Sequence, residues 1–351
     1  MQIINQIICT FHETFLKMAI KNADFAVQSR FIEHLKRVAP NKSLADEMAD
    51  VLSISSDSAY RRIRCETAIT IDEVVLLCKH FRVSPELLTE KTPGTVTFSY
   101  KSLATNAIDL DNYLKSIIQD LENALSFPNP HLFFAAEDVP LFHHLDYTYL
   151  TPFKFFYWRK SILNDVTLQG KKFDAKVITN ASLNLAKKIN QLYLSIPCTE
   201  IWTEETISSM LSQVIYYADS GLFSNKKDAM NVLGDIRQMA EHLQRQAEIN
   251  SKCLRNDKDP IHNQSFNLYS CEVQIGNNSI LVNTDKLKIS LLSFNTFNSL
   301  LTFNLNYCNE NEQWIQNLIK KSVLISSVSE KQRLQFFRNI NNDSIMLTFD
   351  K

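Results

Sequence analysis

Residues 43–88 read SLADEMADVLSISSDSAYRRIRCETAITIDEVVLLCKHFRVSPELL, and their apolar spacing predicts a run of short helices. Leu44, Met48, Val51 and Leu52 recur at three and four residues, which gives the first helix one apolar face. Ser43 stands where a capping hydroxyl belongs, with Glu47 one residue past the position that completes a capping box. Ser53-Ile54-Ser55-Ser56 then forms a short turn with Ile54 as its apolar plug. Asp57 opens a second helix, DSAYRRIRCET, whose inner face is Ala59 and Ile63. Its outer face carries Ser58, Tyr60, Arg61, Arg62 and Arg64. A third amphipathic helix, Ile71 to Phe81, covers the pair.

Two short helices joined by a tight turn hold the second one proud of its domain, in a shape that fits the major groove of DNA. The segment resembles the helix-turn-helix domain of the phage-repressor and Cro-like regulators. Ala45 matches the small residue of that family's first helix, and Leu52-Ser53-Ile54-Ser55 stands where the family has Leu-Gly-Val-Ser. Phe81-Arg82-Val83-Ser84-Pro85-Glu86-Leu87-Leu88 resembles its usual ending. Ser53 replaces the turn glycine, and Ile63 falls one residue later than the usual spacing from Leu52, so the turn is expected to be one residue longer. The resemblance, confined to about residues 28–90, implies a five-helix domain that binds double-stranded DNA in a bacterial, repressor-like transcription regulator.

The residues expected to meet DNA are Ser55, Ser56, Asp57, Ser58, Tyr60, Arg61, Arg62 and Arg64. Arginine suits such a surface because its forked donors reach guanine edges and phosphate oxygens alike. Between residues 28 and 92 ten basic side chains balance ten acidic ones, so non-specific attraction to DNA is expected to be modest. A homodimer held together by segments outside 28–90 is expected to offset this, since a regulator that reads a two-fold operator needs two copies. Ala229, Val232, Leu233, Ile236, Met239, Ala240 and Leu243 form one apolar stripe, read either as core or as the seam of a homodimer.

The rest of the 351-residue chain is of ordinary composition, 45% hydrophobic and 21% charged with a net charge of −1. With 5 glycines and neither GxGxxG nor GxxxxGK[ST], dinucleotide-binding and P-loop chemistry lose their usual support. The 7 cysteines are odd in number and contain no CxxC pair, which argues for reduced thiols in a cytoplasmic protein and against a disulfide or zinc framework. His143 and His144 are adjacent and so point apart on a helix, unlike a metal-binding i, i+4 pair. No nucleophile motif is present. The expectation is therefore no catalytic residues, no metal, no cofactor, and no membrane segment.

The overall expectation is a mostly α protein with a C-terminal α+β unit. Residues 1–27 are an N-terminal extension, with Met18 as an alternative start; 28–91 form the helix-turn-helix domain, and 92–104 a linker around Pro93-Gly94. Residues 105–255 are read as a helical regulatory or dimerisation region, in which the aromatic block 133–158 is core or the wall of a pocket. Residues 256–351 are read as a small α+β unit with Gly276-Asn277-Asn278 as a hairpin turn and SIMLTF as a last strand. An unidentified small-molecule or peptide effector is the expected partner of the C-terminal part; the rival readings are an enzyme fused to the helix-turn-helix and a helix-turn-helix that binds protein.

Overall fold

A computed structural model describes residues 25–39, 43–81, 83, 94–101, 110–255, 257, 259–295 and 298–345. The chain divides into two compact units, Met1–Thr97 and Phe98–Lys351. Among the described residues the protein is a mixed α/β molecule with eleven α-helices and one eight-stranded sheet.

The first unit contributes helices α1 (Ala26–Val38), α2 (Leu44–Leu52), α3 (Ser56–Ile63) and α4 (Ile71–Phe81). The expected fifth helix, after Val83, lies outside the described residues, as does most of the expected N-terminal extension. Phe31, Ile32, Leu35, Met48, Ala59 and Leu77 are all buried to within 1% exposure, so each of the four helices surrenders its apolar stripe to one small core. Gln28 fastens α1 to the last turn of α3 and to the chain beyond it. Its amide nitrogen donates to the carbonyls of Arg62 and Thr67, and its oxygen accepts from Ile69 N, each at 2.9 Å.

The second unit corrects the expected division at residue 255. Its sheet has the strand order β1-β7-β6-β5-β2-β3-β4-β8, where β1 is Ser99–Tyr100, β2 His131–Ala136, β3 Cys198–Trp202, β4 Phe266–Cys271, β5 Ser279–Asn283, β6 Lys288–Phe294, β7 Asn298–Thr302 and β8 Ser322–Leu324. Strands β2 and β3 come from the segment read as purely helical, yet they pair with β5 and β4 from the segment read as separate. The expected linker 92–104 likewise holds β1, which pairs with β7. Gly276-Asn277-Asn278 makes no hairpin, because β4 and β5, which it joins, lie apart in the sheet with β2 and β3 between them. Of the last expected strand, 344–345 belong to a helix and the remainder lies outside the described residues.

Strands β2, β3 and β4 run parallel, so long helical crossovers must join them. These are α6 (Leu150–Tyr157) with α7 (Asn180–Leu194), and α8 (Ser208–Asp219) with α9 (Lys226–Ile249). Helix α5 (Leu110–Leu125) packs on α7, and α11 (Glu330–Ile345) on α9. Alternate side chains Leu132, Phe134, Trp202, Phe266, Leu268 and Val282 face this helical layer and its large core. Their neighbours Ala135, Ile201, Cys271 and Leu281 point to the opposite face, covered by α10 (Leu305–Lys320) through Ile315 and Leu318.

The stripe along α9 is core. Ala229, Val232, Ile236, Met239, Ala240 and Leu243 are no more than 1% exposed, which removes it as a dimer seam. The aromatic block is mostly core as well: Phe153 lies stacked on Phe223 at 5.6 Å and edge-on to Phe173 and Tyr217. No described helix is long and apolar enough to cross a membrane.

Candidate nucleic-acid interface

Helix α2 ends where the backbone turns left-handed at Ser53 (φ 53°, ψ 45°), and Ile54 N donates back to the Ala49 carbonyl at 3.0 Å. This is the helix-ending geometry that glycine adopts at least cost. The serine in the glycine position therefore keeps the turn but carries the strain of a Cβ there. Ser43 caps α2 through its backbone carbonyl alone, which accepts from Asp46 N and Glu47 N, and its hydroxyl makes no cap. Helix α3 begins at Ser56, one residue before the expected Asp57. It is capped by Ser55, whose hydroxyl accepts from Ser58 N at 3.3 Å.

The eight residues expected to meet DNA divide by direction. Taking about 100° per residue, Ser56, Asp57, Tyr60, Arg61 and Arg64 fall within roughly a 140° arc of α3 and its end, and all are exposed. Tyr60 is 48% exposed and the Arg61 and Arg64 side chains 56% and 58%. Ser55 is exposed but spends its hydroxyl on the cap, and Ser58 is half-buried beside it. Ala59 is fully buried and Ile63 half-buried, as the inner face requires.

Arg62 departs from the expectation. Its side chain is only 16% exposed and grips Glu73 of α4 with two donors, Nη2 to Oε1 at 2.8 Å and Nε to Oε2 at 3.3 Å. Its third nitrogen, Nη1, donates to the Ser58 carbonyl at 3.3 Å. Glu73 also accepts from Thr70 N at 2.9 Å, while Thr70 Oγ1 accepts from Glu73 N at 3.2 Å, a reciprocal capping box at the start of α4. Burial by itself pushes the Glu73 carboxyl up, but the bonds from Arg62 and Thr70 outweigh it and hold the group below the usual carboxylate range. Arg62 thus ties α3 to α4. The Thr70-x-x-Glu73 spacing was the sequence signal for its partner, and reading all three arginines as outward passed over it.

The two outward arginines share one exposed acid, Glu66, at 3.0 Å from Arg64 Nε and 4.0 Å from Arg61 Nε. Exposed pairs of this kind hold by only ~0–1 kcal/mol, so either guanidinium can exchange Glu66 for a phosphate or a base edge.

The second unit holds a different cluster that the sequence did not reveal. Glu200, 1% exposed on β3, accepts from Tyr193 Oη at 2.6 Å, Trp202 Nε1 at 2.8 Å and His143 Nε2 at 3.0 Å. Lys252, fully buried, donates to the carbonyls of Tyr193 and Ile196 and lies 3.3 Å from the Tyr193 ring centre. Burial opposes charge on Glu200, yet His143 and Tyr193 keep its carboxyl below the usual range. Burial pushes the adjacent Cys198 thiol up to about 12. The neighbouring cavity, lined by His143, Tyr193, His242, Gln246 and Arg255 among others, measures about 20 Å3, room for a water molecule. Among the described residues no group of three or more His, Cys, Asp or Glu is placed to hold a metal, and the six described cysteines are free thiols.

Comparison with protein-family models, with curated proteins and with solved structures finds no match for this chain.

Proposed function

We propose that the protein is a sequence-specific, double-stranded-DNA-binding transcription regulator whose α3 enters the major groove. The observation that carries this reading is the sorting of side chains on α3: Tyr60, Arg61 and Arg64 turned outward with Ser56 and Asp57, and Arg62 drawn inward to brace the helix. A braced helix presenting two weakly held guanidinium forks and a phenol is preorganised for base and phosphate contact. On this reading Arg61 and Arg64 contact DNA directly, and Arg62 positions the helix that carries them.

The unit Phe98–Lys351 then serves regulation, by effector sensing or dimerisation. The rival reading, an enzyme fused to a DNA-binding unit, draws on the Glu200 cluster. Against it stands the satisfaction of that cluster by its own neighbours, beside a cavity too small for a substrate. Selection of bound duplexes from a randomised DNA pool by the full-length protein tests the DNA-binding reading.

A further inference from the structure

Helix α4 covers the helix pair with Leu77, Cys78 and Phe81, and leaves its opposite side to solvent. Asp72, Val75, Leu76 and Lys79 lie within roughly a 100° arc of that side, at about 100° per residue, and all are exposed. Ile71 flanks them at 82% exposure, and Val75 and Leu76 stand 41% and 47% exposed. Adjacent branched apolar side chains in the middle of a solvated helix face are the reverse of what an unpartnered surface helix carries. Among the described residues, neither Asp72 nor Lys79 has an ion-pair partner within the chain, seven residues apart as they are on the same stripe.

We propose that this stripe docks a second copy of the same chain, with the two α4 helices antiparallel across a two-fold axis that passes between Val75 and Leu76. The charge order selects this occupant and this direction. In the antiparallel pair Asp72 of each copy faces Lys79 of the other, twice over, and Val75 of each faces Leu76 of the other. A parallel pair would set like charges against each other. The stripe carries one acid and one base and so attracts neither polyanions nor polycations; it complements itself. A helix of 11 residues is about 16 Å long, and a pair of that length buries well under the ~1,200 Å2 of a standing complex. The association is therefore weak and concentration-dependent. It rests on the DNA-binding reading only for its use: two half-sites on one duplex raise the effective concentration of the second copy and make binding cooperative.

Sedimentation of the full-length protein without DNA, from low to high micromolar concentration, tests the surface. Wild type should show a mass that rises from monomer towards dimer. Leu76→Asp should abolish the rise. Asp72→Lys and Lys79→Asp should each weaken association about tenfold or more, since each replaces two ion pairs by two like-charge contacts. The double variant Asp72→Lys/Lys79→Asp should recover it, because both signs are exchanged and the pairing across the axis is restored. All three substituted positions are exposed, and far-ultraviolet circular dichroism verifies that each variant is folded. A wild type that stays monomeric at every concentration, or single variants that associate like wild type, would overturn the proposal. A double variant as weak as the single ones would overturn the antiparallel register. Operator binding by a strictly monomeric wild type would leave the DNA reading standing and remove only this surface.

Discussion

Replacing Arg62 by alanine separates bracing from DNA contact. The guanidinium makes two bonds to Glu73 and one to the Ser58 carbonyl while only 16% exposed, with Glu73 at 17%. Exposed ion pairs stabilise by about 0–1 kcal/mol, and breaking a fully buried one costs about 3–5 kcal/mol. This pair lies between those limits. Glu73 also keeps its bond from Thr70 N when Arg62 is removed, so the acid is not orphaned. The expected loss is about 2 kcal/mol, or about a 30-fold increase in opening of α3 and α4, at 1.4 kcal/mol per tenfold. Amide hydrogen exchange of the full-length protein, read by mass spectrometry over residues 56–81, measures this directly. Arg61→Ala and Arg64→Ala, whose only ion-pair partner among the described residues is the exposed Glu66, should change exchange by less than about fivefold. The pH dependence has a definite sign. Glu73 is depressed in the folded state, so its contribution is complete above the unfolded carboxylate value of about 4.3 and is lost as pH falls through the folded value. The difference between wild type and Arg62→Ala should therefore close in acid. If Arg62→Ala left exchange unchanged and lowered DNA affinity as much as Arg61→Ala, Arg62 would be a DNA contact and the bracing argument would be wrong.

Ser53→Gly should stabilise the α2–α3 turn by about 0.5–1 kcal/mol, the left-handed strain of a Cβ less the chain entropy of glycine, seen as slower exchange at residues 49–59; faster exchange there would contradict it. Glu200→Ala should destabilise the second unit by about 3–5 kcal/mol, because it leaves Tyr193 Oη, Trp202 Nε1 and His143 without their common acceptor. Its folded carboxyl is depressed, so the wild-type advantage should be complete near neutrality and fade as pH falls; an unchanged melting transition at neutral pH would refute the role given to this cluster.

The first unit was legible because its signals are local. Helical spacing of Leu44, Met48 and Leu52, the turn at Ser53 and the outward set on α3 depend on residues within a few turns of each other. What stayed hidden there was the direction of Arg62, which is set by an acid on another helix. The second unit was read less well because its sheet is assembled from distant segments. His131–Ala136 is a short apolar run buried on both faces, without the alternation that marks a half-exposed strand, and it merged into the aromatic block. In Cys198–Trp202 the charged Glu200 interrupts the apolar pattern, and its burial is accounted for by Trp202 on the same strand together with Tyr193 and His143, which meet it in the folded core.

On the proposed function, α3 reads DNA sequence through Arg61 and Arg64. The direct measurement is a titration of the full-length protein against the duplex enriched from a random pool, at several salt concentrations, for wild type and for Arg61→Ala/Arg64→Ala. Wild type should bind the enriched sequence at least about a thousandfold more tightly than random duplex. The double variant should lose about tenfold or more for each base contact removed, or show a salt slope smaller by about one for each phosphate contact removed, with no change in hydrogen exchange. No enriched sequence, or a double variant that binds with wild-type affinity and salt slope, would contradict it.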